Sequence, residues 1–125
     1  MRYVLIRASN VAVRVKLRDT ATADAIWNAL PIYGQVQTWG EEVYFSAAVE
    51  QAREPDAKAV VDRGEVAYWP DGQAIAIGFG PTPISKADEI RLTSPCNIWA
   101  DAVDDVGSFK SVEAGTHIAV IEADS

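Results

Sequence analysis

The feature that most restricts the fold is an alternation near the N-terminus of large apolar side chains with small or charged ones. In the segment VAVRVKLR, every second side chain from Val11 to Leu17 is apolar. A period of two places these side chains on one face of a half-buried strand. Residues 3 to 8 read as a second strand, and Ser9-Asn10 is a turn short enough to join the two. The sequence therefore predicts an N-terminal hairpin.

One segment has helical rather than strand periodicity. Apolar side chains at positions 23, 26, 27 and 30 fall on a single helical stripe. Asp19, Thr20 or Thr22 can cap the start of this helix, and Pro31 ends it because proline cannot continue the hydrogen-bond ladder. We expect the stripe to pack on a sheet.

The remainder of the chain indicates mostly β structure. The predicted strands are residues 41–47, 65–69, 73–79, 96–103 and 117–123, with a short strand near Val60-Val61. We expect loops at residues 50–63, 85–94 and 104–115, the last with one helical turn. Seven or eight strands and one helix, without regular alternation of the two, favour a mainly β, mainly antiparallel barrel. No repeat or linker interrupts residues 1–125, and we expect a single domain.

Composition and charge bear on partners and location. The net charge of −7 argues against a nucleic-acid partner, which would require clustered lysine and arginine. The apolar run between Arg2 and Arg7 is too short for a signal peptide or a membrane span. We therefore expect a cytoplasmic protein that binds neither nucleic acid nor membranes.

The single cysteine and the single histidine offer little chemistry. Cys96 excludes an internal disulfide and a cysteine-rich metal site. We interpret it as a small buried apolar side chain. His117 begins a predicted strand without metal-ligand spacing around it, and we interpret it as structural rather than catalytic. The sequence predicts neither a metal nor a cofactor.

One strand face leaves room above it. Ala74, Ala76 and Gly78 share a face of strand 73–79, so large side chains from elsewhere or a ligand must fill the space. Trp27, Tyr68 and Trp69 fill it in the first case. In the second case aromatic side chains wall a cleft.

Among the carboxylates, Glu42 is the one with a place in such a cleft. It lies two residues before Tyr44, on the same strand face and directly after the Trp39-Gly40 corner. An exposed carboxylate at a strand end is the alternative interpretation. From the residues alone, the walls of such a cleft are Trp39, Tyr68, Trp69 and Phe79.

Three segments resemble a known family. In order and spacing, TWGEEVYFS (38–46), GEVAYWPDG (64–72) and FGPTPIS (79–85) are similar to the small, single-domain cyclophilin-like proteins of bacteria and archaea. The resemblance spans roughly residues 36–123. It implies a closed, eight-stranded cyclophilin-like β-barrel with one capping α-helix. Asp71 stands where a second proline is usual in the family, which affects the turn alone.

The resemblance does not extend to the catalytic motifs of true cyclophilins. Those prolyl isomerases carry a Phe-His-Arg stretch and a Gln-Gly-Gly segment, and neither is present here. A donor to the proline nitrogen would have to come from Arg53, Arg63 or Arg91.

Three functions remain open at this point. The leading hypothesis is a barrel that binds a small molecule or a peptide, including a proline-containing one, with an apolar body and a donor or cationic group. Its cleft lies where the small-residue face and the family-like motifs coincide, and the candidate ligand-binding residues are Trp39, Glu42, Tyr44, Tyr68, Trp69, Phe79 and Thr82. The alternatives are a divergent peptidyl-prolyl cis-trans isomerase and an accessory subunit of a metabolic enzyme. An accessory subunit would dock on its partner enzyme through an exposed edge or the 85–94 loop, and a homo-oligomer is a further partner option.

Overall fold

A computed structural model describes residues 1–124, in which one large antiparallel sheet carries a single α-helix. The helix α1 is Ala21–Ala29. The strands are β1 Tyr3–Ala8, β2 Val11–Leu17, β3 Ile32–Gln35, β4 Gln37–Thr38, β5 Glu42–Ser46, β6 Lys58–Val61, β7 Glu65–Trp69, β8 Ala74–Gly78, β9 Ile90–Ala102 and β10 His117–Ala123. A 3₁₀-helix, Val106–Ser111, lies between β9 and β10. The predicted mainly β fold with one helix is confirmed.

The sheet has ten strands and its hydrogen-bonded order is not closed. The order is β3-β10-β1-β2-β9-β7-β8-β5-β4, and β6 pairs with β9 beside this path. The prediction of a closed eight-stranded barrel is therefore not confirmed. The two end strands, β3 and β4, are separated in the chain only by Val36, whose N–H donates to the Thr116 carbonyl at 2.9 Å. Because β3 also contacts β5, the sheet curls until its ends meet.

The N-terminal hairpin forms as the alternation predicts. β1 and β2 pair from Tyr3 opposite Lys16 to Ala8 opposite Val11. Every apolar side chain of the β2 alternation is buried, and the side chains between them are exposed or half-buried. The buried face contributes to a core that fills the inside of the curled sheet.

The helix begins and ends where its sequence signals lie. The Thr20 side chain accepts a hydrogen bond from the Ala23 N–H, which satisfies one of the unpaired donors of the first turn. The last helical residue is Ala29, two positions before Pro31. Ile26 is fully buried in the core, and α1 contacts β9. The predicted docking of the helix on the sheet is confirmed.

A satisfied polar network fixes the helix start to the sheet. The side chain of Asn97, fully buried in β9, donates to Thr22 Oγ1 at 3.0 Å and to the Ala52 carbonyl at 2.9 Å. Its Oδ1 accepts from the Glu54 N–H at 2.8 Å. The Glu54 carboxylate accepts from both the N–H and the hydroxyl of Thr22. Buried polar groups are stable when every partner is present, and this network holds the 52–54 segment against β9.

Two predictions of connecting segments need correction. Residues 85–94 are not all loop, because β9 already begins at Ile90. β3 and β4 are strands where none was predicted. The first part of β9 and β3 have partners that are distant in sequence, since β9 pairs there with β6 and β3 pairs with β10. β4 has only two residues and pairs with the neighbouring β5. The short strand near Val60-Val61 and the helical turn within 104–115 are confirmed as β6 and the 3₁₀-helix.

The β7–β8 hairpin is buried on both faces. One face, with Val66, Tyr68 and Ile75, belongs to the main core. The other, with Ala67 and Ala76, belongs to a smaller apolar cluster outside it. The members of the smaller cluster are Val61, Ala67, Ala76, Ile90, Leu92, Cys96 and Ile98, with Tyr44 and Trp69 packed against them. The candidate site lies on this second face.

Candidate functional site

A cavity of about 250 Å³ opens on the smaller apolar cluster. Strands β5, β7, β8 and β9 and the corner before β5 form its walls. The residues that line it are Trp39, Glu42, Tyr44, Trp69, Ala76, Leu92, Thr93 and Cys96. Three aromatic rings and one carboxyl group thus surround a space floored by small and aliphatic side chains.

The floor of the cavity depends on one small residue. Ala76 lines the space from β8. The neighbouring position on the same face is closed, because a Cβ at Gly78 would stand 2.4 Å from Cγ2 of Ile90. The small-residue face predicted for residues 73–79 therefore leaves its opening above Ala76, and an aliphatic side chain covers Gly78.

A tight corner presents Trp39. Its N–H donates to the Glu42 carbonyl at 3.0 Å, and Gly40 between them has a φ of +59°. A Cβ at Gly40 would lie 2.9 Å from both Thr82 Cα and Pro83 Cδ, so only glycine allows this approach. The 81–83 segment thus braces the corner from behind, and Trp39 faces the cavity.

The other two aromatic side chains are fixed by their strands. The Tyr44 hydroxyl donates to Gln37 Oε1 at 3.0 Å, across the β4–β5 pair. Trp69 ends β7, and a Cβ at Gly72 would lie 2.3 Å from its Cε3 and Cζ3 atoms. The indole therefore covers the Pro70–Gln73 turn on one side and borders the cavity on the other.

Glu42 is buried without a partner. It is 6% exposed, and its Oε1 atom has no hydrogen-bond partner among residues 1–124. It takes part in none of the ion pairs of those residues. Burial without compensation raises the pKa of Glu42 to about 7, since desolvation penalises the charged form. The group can therefore gain or lose a proton near neutral pH.

Most of the buried side-chain polar atoms without a partner belong to residues that line the cavity. In the part of the chain that the structure describes, the unpartnered atoms are Glu42 Oε1, Trp69 Nε1 and Ser94 Oγ. Glu42 and Trp69 line the cavity, and Ser94 does not. Buried polar groups are almost always paired, so two such exceptions on residues of one cavity distinguish it from the rest of the molecule.

An irregular stretch of β9 supplies the wall opposite the aromatic rings. β6 pairs with β9 at Lys58 opposite Cys96 and at Val60 opposite Arg91, so four β9 residues bulge where β6 has one. Leu92 and Thr93 reach the cavity from this bulge. Bulges re-aim side chains and are frequent beside functional sites.

Cys96 is a lining residue but not an activated nucleophile. Burial raises the pKa of its thiol to about 12, and the Glu42 charge acts in the same direction. The thiol donates to the Ser94 carbonyl at 3.3 Å. Since the thiolate is the reactive form, we expect this group to be inert at neutral pH.

Four of the seven candidate residues line the cavity, and three lie elsewhere. Tyr68 is fully buried in the main core, where its hydroxyl donates to the Val49 carbonyl. Phe79 belongs to the same core. The Thr82 hydroxyl donates to the Arg91 carbonyl and is not at the cavity wall. Adjacent strand residues face opposite sides, which explains why Trp69 reaches the cavity and Tyr68 does not.

The sequence interpretation missed the β9 side of the cavity. Leu92 and Thr93 fall in a segment predicted as loop, and Cys96 was interpreted as a buried apolar side chain. The apolar-polar alternation of Ile90, Arg91 and Leu92 is the signal that could have extended the strand.

The histidine and the three arginines considered from the sequence lie outside the cavity lining. His117 is exposed at the start of β10, opposite Gln35. Arg63 pairs with Asp105 at 2.7 Å and Arg91 with Glu89 at 2.6 Å. Arg53 pairs with Asp71 at 3.7 Å, and its charge acts on Cys96. Within residues 1–124, no group of three or more His, Cys, Asp or Glu side chains could hold a metal ion.

Across residues 1–124, neither the length nor the hydropathy of any helix suffices to cross a bilayer.

Fold and site together define a β-sheet protein with a lateral cavity of aromatic and acidic character. The family described as Cyclophilin-like matches residues 2–121, and the chain belongs to this family. The chain is also similar to the hypothetical protein AF2241 from Archaeoglobus fulgidus, known from a solution structure. The two are 36% identical with a TM-score of 0.84, over 98% of this chain and 95% of that one. A comparison with curated proteins finds no match.

Proposed function

We propose that this protein binds a small organic molecule, or one small side chain of a peptide, in the cavity between Trp39, Glu42 and Trp69. The observation that carries the proposal is that Glu42 Oε1 and Trp69 Nε1, two buried polar atoms without a partner among residues 1–124, belong to residues that line this one cavity. Keeping such groups buried costs about 1–3 kcal/mol each. A ligand with matching polar atoms offsets that cost.

Size and chemistry narrow the ligand class. Drug-sized molecules occupy pockets of about 300–1,000 Å³, and this cavity measures about 250 Å³. The aromatic rings favour an apolar body, and the Glu42 carboxyl favours a donor or cationic head. A ligand of metabolite size, or the tip of a longer one, meets both conditions.

Prolyl isomerisation is the second candidate. An isomerase needs an apolar floor for the proline ring and a donor to its nitrogen, which lowers the amide barrier of about 18–20 kcal/mol. Among Arg53, Arg63 and Arg91, Arg53 is the best candidate for this donor, because its charge acts on Cys96 in the cavity wall. Its pairing with Asp71 is long, at 3.7 Å, so the guanidinium is weakly held.

A fragment screen observed through the tryptophan indole N–H signals tests binding. We expect ligands to shift the Trp39 and Trp69 signals in ¹H–¹⁵N spectra and to leave Trp99 unshifted, because Trp99 is bonded to the Ala67 carbonyl inside the core. Glu42→Gln should weaken these ligands at least tenfold. Glu41→Gln removes the same charge one residue away, outside the cavity, and serves as the matched control.

Two outcomes separate the candidates. If a broad library of small fragments shifts neither cavity tryptophan while the protein remains folded, the binding proposal is wrong. If X-Pro peptides show exchange cross-peaks that depend on the protein and disappear in Arg53→Ala, the isomerase takes its place.

A further inference from the structure

We infer that the head group bound in this cavity is an alkylated ammonium ion. The inference rests on the proposed function and specifies its ligand class. It combines two independent features of the cavity, the three aromatic side chains that line it and the uncompensated carboxyl group.

The aromatic side chains approach from three different elements. Trp39 comes from the corner before β5, Tyr44 from β5 and Trp69 from the end of β7. A cation attracts the negative face of an aromatic ring, most strongly that of tryptophan, and alkylated ammonium ions bind in such aromatic cages. Methyl groups on the nitrogen also suit the apolar floor of Ala76 and Leu92.

The Glu42 carboxyl group has no positively charged partner among residues 1–124. A buried carboxylate is normally paired, yet no arginine or lysine lines this cavity and Glu42 has no ion-pair partner among residues 1–124. The nearest charges that act on the cavity wall, Arg53 and Asp71, pair with each other. A cationic ligand supplies the missing charge.

Anionic and neutral ligands fit these features less well. An anion would meet Glu42 in a low-dielectric site and a protein of net charge −7. A neutral apolar ligand would bury the carboxyl group further and leave Oε1 without a partner. An alkylated ammonium ion satisfies both the rings and the carboxylate.

Choline and 3,3-dimethylbutan-1-ol form the decisive pair of probes, because they differ in the charge of one central atom and share their shape. Titration of each into ¹⁵N-labelled protein at pH 8, followed at the Trp39 and Trp69 indole signals, gives their affinities. We expect choline to bind at least tenfold more tightly. Glu42→Gln should remove this preference, and Glu41→Gln should keep it.

The outcomes test the ammonium inference separately from the proposal that the cavity binds a ligand. Equal binding of the two probes, or tighter binding of the alcohol, overturns the ammonium inference and leaves the binding proposal standing. Absence of any shift with either probe also overturns the inference. The binding proposal falls only if the broad fragment library fails as well.

The pH dependence of choline binding gives an independent readout, because choline keeps its charge at every pH. The other titratable groups that line the cavity with Glu42 are the Tyr44 hydroxyl and the Cys96 thiol, and the paired charges of Arg53 and Asp71 act on Cys96. With a Glu42 pKa of about 7, choline affinity should rise about tenfold from pH 6 to pH 8. A flat profile contradicts the inference.

An alkylated ammonium can belong to a free metabolite or to a modified lysine side chain. A peptide carrying trimethyllysine and the same peptide with unmodified lysine distinguish the two sources. Binding of choline together with the trimethyllysine peptide at comparable affinity supports recognition of the head group alone. A peptide that binds at least tenfold more tightly than choline identifies a peptide ligand.

Discussion

Two glutamates with nearly equal burial have opposite environments in this molecule. Glu65, at the start of β7, is 8% exposed and accepts hydrogen bonds from Lys58, Arg18 and the Asp62 N–H. Burial alone would raise its pKa, but these three donors together hold the pKa below its usual value. Glu42 is 6% exposed and has none of them, and its pKa rises to about 7.

The aromatic residues show the same contrast between polar groups that have a partner inside the protein and polar groups that do not. Trp99 Nε1 donates to the Ala67 carbonyl at 3.2 Å in the core, whereas Trp69 Nε1 has no hydrogen-bond partner among residues 1–124. The Tyr68 hydroxyl donates to a buried carbonyl, whereas that of Tyr44 reaches an exposed side chain. One side of the β7–β8 hairpin is thus completed by the protein's own groups, and the other is not. Burial of a polar side chain therefore does not by itself identify the site in this protein. Burial of a polar side chain without a hydrogen-bond partner does.

The largest expected difference concerns the two tryptophans. Trp99→Ala should cost about 3–5 kcal/mol of unfolding free energy, because it leaves a cavity in a packed core. Trp69→Ala should cost only about 1–2 kcal/mol, since its ring is partly exposed and borders space already present. Urea denaturation at pH 7 measures both. Equal costs would show that the ring of Trp69 is structural, against the proposed site.

The second prediction concerns the two glutamates, whose replacement should shift stability in opposite directions. The folded protein holds the Glu42 proton more tightly than the unfolded chain, so Glu42 costs stability as pH rises from about 4.5 to about 7. Glu42→Gln should therefore stabilise the protein by about 3 kcal/mol at pH 8 and change little at pH 4.5. Glu65→Gln should destabilise it by about 2 kcal/mol at pH 8.

The sign of the pH dependence is the test for each glutamate. The folded pKa of Glu65 is lowered, so its contribution is present above the unfolded pKa and is lost as pH falls through the folded one. Urea unfolding of the wild type and both variants at pH 8, pH 4.5 and pH 3 measures the two slopes: the step from pH 8 to pH 4.5 reports on Glu42, and the step from pH 4.5 to pH 3 reports on Glu65. A Glu42→Gln variant that is less stable than wild type at pH 8 would mean that the carboxylate has a partner, which contradicts the basis of the site.

The sequence predicts local structure well and distant pairing poorly. Thr20, Pro31 and the apolar stripe define α1, and the alternation in residues 11–17 defines β2, because these signals lie within the segment itself. β3 escapes prediction because its strand identity depends on β10, far along the chain. The first part of β9 has only the short alternation of residues 90 to 92 as a local signal, and its pairing with β6 is distant in sequence. That the hydrogen-bonded order of the sheet stays open likewise depends on how its two end strands meet, which no local pattern records.

The site follows the same division. Trp39, Glu42, Tyr44 and Trp69 are predicted from family-like motifs and are brought together in the structure. The sequence prediction assigns Tyr68 to the cavity, but the residue lies in the main core. Both faces of β7 are buried, so the pattern of apolar residues cannot show which face belongs to the core. Leu92 and Thr93 lie in a β9 bulge, and such irregularity has no signature in the sequence read by periodicity.

The smallest expected difference concerns the two tyrosines. Tyr68→Phe should cost about 1–2 kcal/mol, because it leaves the Val49 carbonyl without its buried donor. Tyr44→Phe should change stability by less than about 0.5 kcal/mol, since its hydroxyl bonds to exposed Gln37 and water can replace it. Both substitutions retain the ring, so urea unfolding isolates the hydroxyl groups. If Tyr44→Phe costs as much as Tyr68→Phe, the cavity side of the hairpin is as fully internally bonded as the core side, and the contrast on which the site rests fails.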